Sequence, residues 1–357
     1  MINSILKSNT PINNIPQDYC PSNDFSWFKV KSGLDKGKMM FYRDSFIHSN
    51  NSKKTILFVH GNPESSYTYR KIIQLLIKVS EEPFRIIAMD HIGFGLSDQA
   101  TYEMVCMDHA QNLIQLIREL DLYNITLIIH DWGGPIGIGA LLKDPQRVSN
   151  LIILNSTIFP IPQEGITFQN YPISWLGWCY TPYIISNKFW GDFAAYAIFS
   201  NPTKPIPLLL NMLKNIVLME FGSFQKPHEE AQKFFREQFG SYMNILSSKR
   251  LVMQTKYWGW GNVYKDNVLG KRSTINFYKD MREKITPLWG PKGQNVNIRA
   301  ILGRWDPLAQ NCVIKQWINA LPQLKRNLKI FQNVGHFIEE VKYHEIAQEI
   351  LRVANLT

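Results

Sequence analysis

Residues 124–143 constrain the fold of this chain more tightly than any other stretch. Asn124-Ile-Thr-Leu-Ile-Ile-His130 is a short run of β-branched and apolar residues with polar ends, the composition of a strand buried on both faces. Asp131-Trp132-Gly133-Gly134-Pro135 follows at once, and Gly137 and Gly139 lie in the apolar run that leads to Lys143. The glycines suit a tight turn and a helix lying close to the sheet. Such a strand-turn-helix connection presents the side chain of the turn residue, and a serine is its usual nucleophile. Here that residue is Asp131, and Ile129 stands where serine sites carry a glycine, so the serine-hydrolase pattern fails. An ordinary polar turn with Asp131 capping a helix is the competing interpretation.

A chain of 357 residues with 45% hydrophobic content can bury a large core, and it accommodates one big domain with an insertion. The formal charge of +10 raises the question of nucleic acid. Its Lys and Arg residues are scattered, with nothing denser than pairs such as Lys53-Lys54 and Lys271-Arg272, whereas a nucleic-acid surface needs a concentrated stripe. No nucleic-acid partner is expected. Cys20, Cys106, Cys179 and Cys312 are widely spaced, as in a cytoplasmic protein with reduced thiols. Residues 1–25 form an extension rich in Asn, Pro and Ser, with neither a basic start nor an apolar signal segment. The apolar run Pro207–Met219 is interrupted by Asn211, Lys214 and Asn215 and is shorter than the roughly 20 residues a bilayer requires, so it is expected as a buried helix and no membrane association is expected.

Strands and helices alternate along much of the chain. Strands are predicted over Lys38–Ser45, Thr55–Val59, Phe84–Asp90, Val148–Asn155, Val296–Leu302 and Leu328–Phe331. Helices are predicted over Ser66–Ile77, Val105–Leu120 and Ile338–Val353. Repeated βα units imply an α/β fold with a mostly parallel central sheet flanked by helices. The rhythm breaks between residues 159 and 291, which hold six of the ten tryptophans, several prolines and helical patches such as His228–Phe239, without clear strands. This stretch is expected to be an inserted helical cap, with residues 26–158 and 292–357 forming the core domain. Its aromatic residues either enclose an apolar pocket or simply pack the cap onto the core.

Open α/β sheets collect their catalytic groups at the carboxyl ends of strands. The first apolar strand leads into His60-Gly61-Asn62-Pro63, Ile301-Leu302-Gly303 into Arg304-Trp305-Asp306, and Leu328–Phe331 into Gly335-His336. Asp131, Asp306 and His336 thus follow the order nucleophile, acid, histidine, which is the chain order of α/β-hydrolases. The strand ending near Leu154 is another place for the acid, but it offers only Asn155 and Ser156. His60, His91, His109, His130 and His228 are assigned no catalytic role. His130 is expected to point away from Asp131, because neighbouring strand residues face opposite sides.

His60-Gly-Asn-Pro, Asp90-His-Ile-Gly-Phe-Gly-Leu-Ser-Asp98, His130-Asp-Trp-Gly-Gly and Gly335-His336 together resemble the motifs of the haloalkane dehalogenase and epoxide hydrolase branch of the α/β-hydrolases. The resemblance covers about residues 55–160 and 295–357 and leaves the cap unmatched. Within that branch, Asn62 and Trp132 resemble the halide-stabilising pair of haloalkane dehalogenases. Epoxide hydrolases usually carry a bulky apolar residue in place of Asn62 and protonate the epoxide through two cap tyrosines, here to be sought among Tyr171, Tyr180, Tyr183, Tyr196, Tyr242 and Tyr257.

The implied reaction explains the residue types. Asp131 attacks an sp³ carbon and forms an alkyl ester, while the Trp132 indole N–H and the Asn62 amide hold the departing halide. His336, oriented by Asp306, then activates water against the ester, and the backbone N–H groups of Asn62 and Trp132 receive the oxyanion. The expected substrate is a small apolar organic molecule. With no metal constellation or phosphate-binding glycine loop, neither metal nor other cofactor is expected. An epoxide hydrolase using the same three residues is the alternative. A binding protein that has lost turnover is the reading from another class, which the complete Asp131, Asp306 and His336 set disfavours. Monomer or dimer is the expected state, without a feature that decides between them.

Overall fold

Buried strand residues of this chain alternate between two apolar layers, which fixes where the sheet lies. In the computed structural model, residues 6–21, 24–161, 173–199, 214, 217–218 and 230–356 are described. Leu57, Val59, Ile87, Met89, Leu127, Ile129, Leu151 and Ile153 enter one core layer. Their sequence neighbours Ile56, Phe58, Ile86, Ala88, Ile128, Ile152 and Leu154 enter the other. A two-residue period with both sides apolar is what a strand covered on both faces requires.

The strands are β1 (Phe25–Lys29), β2 (Met39–Ile47), β3 (Thr55–Val59), β4 (Phe84–Met89), β5 (Ile125–His130), β6 (Val148–Leu154), β7 (Val263–Asp266), β8 (Gly270–Ser273), β9 (Asn297–Gly303) and β10 (Leu328–Phe331). Eight form one sheet in the order β1-β2-β4-β3-β5-β6-β9-β10. β2 runs antiparallel to both β1 and β4, and the pairings from β4 through β10 are parallel. This is the α/β-hydrolase architecture. Helix Arg70–Val79 buries Ile72, Ile73 and Leu76 against the second layer, where helix Tyr343–Val353 places Ile346, Ala347, Ile350 and Leu351. The three- and four-residue spacing gives each helix one apolar face. Full burial of each such Ile or Leu side chain stabilises by about 1.5–3 kcal/mol.

Several expectations from sequence need correction. The stretch expected to lack strands contains the antiparallel hairpin β7-β8. Strand β1, unanticipated, pairs antiparallel with β2 across the turn at Gly33–Gly37. The final helix is two, Ile338–Val341 and Tyr343–Val353, separated at Lys342. The helix expected from Ser66 begins as a 3₁₀ turn over Ser66–Tyr69 before the α-helix Arg70–Val79. Helix Ile275–Trp289, grouped with the cap by sequence, sends Tyr278, Met281, Ile285 and Trp289 into the core layer below the elbow helix. The Pro207–Met219 segment falls largely outside the described residues.

The N-terminal extension is part of the packed structure. Ile12 and Tyr19 share an apolar cluster with Phe41, Tyr67 and Leu96 of the core and with Phe234 and Phe235 of helix Glu230–Glu237. Tyr19 donates to the buried Asp90 carboxylate at 2.7 Å, and the Asn13 N–H donates to Glu237 at 3.2 Å. Residues 6–21 therefore join the core to helix Glu230–Glu237. All four cysteines are free thiols, and only Cys312 is exposed. Among the described residues, no helix is long and apolar enough to cross a membrane.

Candidate active site

β5 ends at His130, and the next residue takes a left-handed backbone, with Asp131 at φ 47°. Such a turn is costly for a residue with a Cβ and must be held by its surroundings. The Asp131 N–H donates to the Asn155 carbonyl at 3.2 Å, and its carbonyl accepts from Ser156 Oγ at 2.5 Å and from the Gly134 N–H at 3.1 Å. A side chain at Gly134 would collide with that serine hydroxyl. On the neighbouring strand end, the Asn62 N–H donates to Asp131 Oδ2 at 2.8 Å. A Cβ at Gly61 would come within 2.5 Å of the Asp131 side chain, so only glycine lets the two loops approach.

His336 follows β10 and faces this carboxylate. Its Nε2 lies 3.5 Å from Asp131 Oδ1, and its Nδ1 lies 2.5 Å from Asp306 Oδ2. Asp306 is fully buried and also accepts the Leu308 N–H at 2.7 Å. Burial pulls the His336 ring toward neutrality, but the charge of Asp306 and the proximity of Asp131 outweigh it and hold the imidazole well above the usual histidine range. The strand order thus brings Asp131, Asp306 and His336 together across three strand ends.

Beyond the residues anticipated from sequence, Asn155 joins their loops. Its Oδ1 accepts the Gly303 N–H at 2.8 Å, and its Nδ2 donates to the carbonyls of Gly335 and His336 at 2.8 and 2.7 Å. The buried amide therefore touches the loops of Asp306 and His336, while the Asn155 backbone carbonyl holds Asp131. Sequence singled out Asn155 only as a missing carboxylate; its position at a strand end was the signal available.

His130 does turn away from Asp131, and it has a role in the loops behind. Its Nδ1 meets Glu64 Oε2 at 2.8 Å, and its Nε2 donates to the His336 carbonyl at 2.9 Å. Glu339 lies 3.3 Å from the same Nε2, and Thr68 Oγ1 donates toward it at 3.0 Å. Burial, reinforced by the Asp131 charge, pushes Glu64 up to about 7 against the opposing pull of Glu339, His336 and the Gly61 N–H. Glu64, His130 and Glu339 offer ligand atoms within 4.8 Å of one another. Both ring nitrogens of His130 already face oxygen, so the trio is a hydrogen-bonded prop beneath His336. His60, His91 and His109 form a separate buried cluster of tilted rings, in which burial pushes His91 down to about 4 and holds the other two well below the usual range. His228 lies outside the described residues.

Trp132 is buried beside the carboxylate, stacked on Trp258 with ring centroids 4.0 Å apart. The Trp258 indole donates to the Thr157 carbonyl at 2.6 Å, whereas the Trp132 indole N–H makes no hydrogen bond to a described residue. Asn62 faces helix Tyr242–Gln254, where its Oδ1 accepts from Ser248 Oγ at 2.6 Å and its Nδ2 lies 3.4 Å from the Ser248 carbonyl. The Trp132 backbone N–H, expected with that of Asn62 to receive the oxyanion of ester hydrolysis, makes no hydrogen bond to the resting Asp131 carboxylate among the described residues. Gln238, just after helix Glu230–Glu237, donates to the Pro63 carbonyl at 2.7 Å and accepts the Gly95 N–H at 3.0 Å, tying that segment to two loops at the strand ends.

Of the six tyrosines considered for epoxide protonation, Tyr180, Tyr183, Tyr242 and Tyr257 are exposed. Tyr196 is half-buried, and Tyr171 lies outside the described residues.

Comparison with known proteins places the chain in a family. A cis-3-alkyl-4-alkyloxetan-2-one decarboxylase from Shewanella oneidensis is 38% identical over 111 residues, covering 30% of this chain and 34% of that protein. A haloalkane dehalogenase from Mesorhizobium japonicum is 34% identical over 111 residues, covering 31% of this chain and 34% of that protein. These matches span about a third of the length of the curated relatives. The structure of tetrameric haloalkane dehalogenase DpaA from Paraglaciecola agarilytica superposes with a TM-score of 0.61 at 21% identity, covering 92% of each chain. The alpha/beta hydrolase fold family matches residues 54–343, more than half of the sequence. The chain therefore belongs to the alpha/beta hydrolase fold family.

Proposed function

We propose that the protein is a haloalkane dehalogenase, converting a haloalkane and water into an alcohol and a halide through an alkyl ester on Asp131. The observation that carries this reading is the pairing of a buried aspartate at the elbow with uncommitted donors beside it. Asp131 Oδ2 is held by the Asn62 N–H, which leaves Oδ1 on the side of His336 to attack carbon. The carbon–halogen bond breaks as the carbon–oxygen bond forms, and its electrons leave with the halide. In this reaction the Trp132 indole N–H and the second Asn62 amide proton receive that anion as charge-assisted donors.

The second step needs a base. Esterification removes the negative charge of Asp131, one of the influences that hold the His336 proton. The imidazole then releases its proton to solvent more readily, and the neutral ring takes one from the attacking water, the imidazolium so formed being stabilised by the Asp306 carboxylate. Water attacks the ester carbon, the oxyanion develops on the oxygen already facing the Asn62 N–H, and as it collapses the departing alkoxide takes the proton held by His336 and leaves as the alcohol. Asp131 returns as a carboxylate.

Two other reactions fit the same nucleophile. An epoxide hydrolase would need acids opposite Asp131, and the exposure of four candidate tyrosines disfavours it. Decarboxylation of an oxetan-2-one is favoured by the 38% identity to the Shewanella oneidensis relative. There the leaving group is the ring's own carboxylate, an anion that the same two donors suit. Loss of carbon dioxide would expel Asp131 and leave an alkene, without water.

Incubation with brominated alkanes, styrene oxide and a cis-3,4-dialkyloxetan-2-one separates these readings. Halide release that disappears in Asp131→Ala supports the dehalogenase. Diol from the epoxide, or alkene and carbon dioxide from the lactone, with no halide from a broad panel of haloalkanes, reassigns the site.

A further inference from the structure

We propose that Ser248, on the cap helix Tyr242–Gln254, is a positioning residue that sets the orientation of the Asn62 amide and thereby makes Asn62 a donor to the leaving halide. The inference rests on the dehalogenase reading and concerns how the cap takes part in it.

An asparagine amide can turn over with little change of shape, so its partners decide which end points where. Ser248 contacts both ends. Its hydroxyl lies 2.6 Å from Asn62 Oδ1, and its backbone carbonyl lies 3.4 Å from Asn62 Nδ2. A carbonyl only accepts, so the amide nitrogen must face it. The hydroxyl is oriented in turn by Trp190, whose indole N–H donates to Ser248 Oγ at 3.0 Å. An indole nitrogen can only donate, so the serine accepts from Trp190 and turns its own proton to Asn62 Oδ1.

The reversed amide would set its oxygen against the Ser248 carbonyl and present that oxygen, an acceptor, in the pocket. A halide would then meet a partial negative charge. With Ser248 in place, one Nδ2–H faces the cap and the other has no acceptor among the described residues. Asn62, Ser248 and Trp190 are all buried, so water does not substitute freely for any of these bonds. The donor set of the halide site is therefore complete only while the cap helix is seated on the strand ends.

The test compares wild type, Ser248→Ala, Ser248→Thr and Trp190→Phe by bromide release from 1-bromobutane, by bromide binding, and by single-turnover breakdown of the ester. Loss of one hydrogen bond corresponds to about a five- to tenfold effect. We expect Ser248→Ala to lower kcat/KM for bromide release and weaken bromide binding by about that factor, with ester breakdown unchanged. Trp190→Phe should move the first two in the same direction, and Ser248→Thr, which keeps the hydroxyl, should recover most of the loss. Wild-type bromide binding that is matched by Ser248→Ala overturns this proposal alone. Equal loss in release and ester breakdown, not recovered by threonine, makes Ser248 merely structural and also overturns it. No bromide binding or release by wild type overturns the dehalogenase reading and this proposal together. If Ser248→Ala does not fold, Trp190→Phe and Ser248→Thr carry the comparison, and unchanged bromide binding in Trp190→Phe overturns the relay.

Discussion

The Asp131 N–H donates to the Asn155 carbonyl at 3.2 Å, and both residues adopt left-handed backbone, at φ 47° and 39°, at the ends of adjacent parallel strands. The proposed nucleophile is thus braced by the residue that also holds the loops of Asp306 and His336. Replacing Asn155 by alanine removes three side-chain hydrogen bonds at once. At roughly 0.5–1.5 kcal/mol each, the expected loss of stability is about 2–4 kcal/mol. Urea unfolding measures it, and kcat should fall by more than tenfold in the variant that remains folded under assay conditions. Unchanged stability would show that the three bonds are replaced by water at no cost.

His336 is held well above the usual histidine range, with Asp306 and Asp131 as its stabilising partners. A proton bound more tightly in the folded than in the unfolded protein stabilises the fold fully below the unfolded value, and that stability is lost as pH rises through the folded value. Asp131→Asn removes one of the partners and mimics the uncharged ester. NMR titration of the His336 ring should therefore give a lower value in Asp131→Asn than in wild type. An equal or higher value would remove the argument that esterification releases the base.

Glu64 contributes a second pH dependence of the same sign. Burial raises it to about 7 from an ordinary carboxyl value of 4.5. Its contribution to stability is greatest below 4.5 and declines as pH rises through about 7. Glu64→Gln keeps the shape of the group and removes the titration. Thermal unfolding between pH 5 and pH 8 should show a shallower decline for the variant. A steeper one would place the titration elsewhere in the cluster with Glu339.

Trp132→Phe and Asn62→Ala separate the two chemical steps. Each removes a proposed donor to the halide, and a hydrogen bond to a charged partner is worth about 1.5–3 kcal/mol, or roughly 10- to 150-fold. Alkylation measured by rapid quench should slow by that order. Asn62→Ala keeps the backbone N–H that donates to Asp131 Oδ2. Ester hydrolysis should therefore continue near the wild-type rate, and equal slowing of both steps would argue against a leaving-group role.

Sequence was most legible where local chemistry and topology agree. The apolar run before Asp131, the glycines after it and the strand ends carrying Asp306 and His336 were all readable, because parallel strands deliver such ends to one edge. The hairpin β7-β8 was not. Val-Tyr-Lys-Asp and Gly-Lys-Arg-Ser are short, and on each only alternate residues turn inward, so their apolar content resembles that of a surface loop. The break at Lys342 was hidden by an apolar spacing that continues across it. Ser248 left no signal at all, since its meeting with Asn62 joins positions 186 residues apart through the seating of the cap. Helix Ile275–Trp289 fell within the stretch expected as cap because sequence does not show the layer against which a helix packs.

The covalent step is tested most directly by trapping it. His336→Gln removes the base while leaving Asp131 and its oxyanion donor in place. After incubation with 1-bromobutane and digestion, mass spectrometry should find a butyl ester on the peptide carrying Asp131, in near-stoichiometric amount, with one bromide released per chain. Continued turnover in this variant without an adduct, or an adduct on another residue, would contradict Asp131 as the nucleophile.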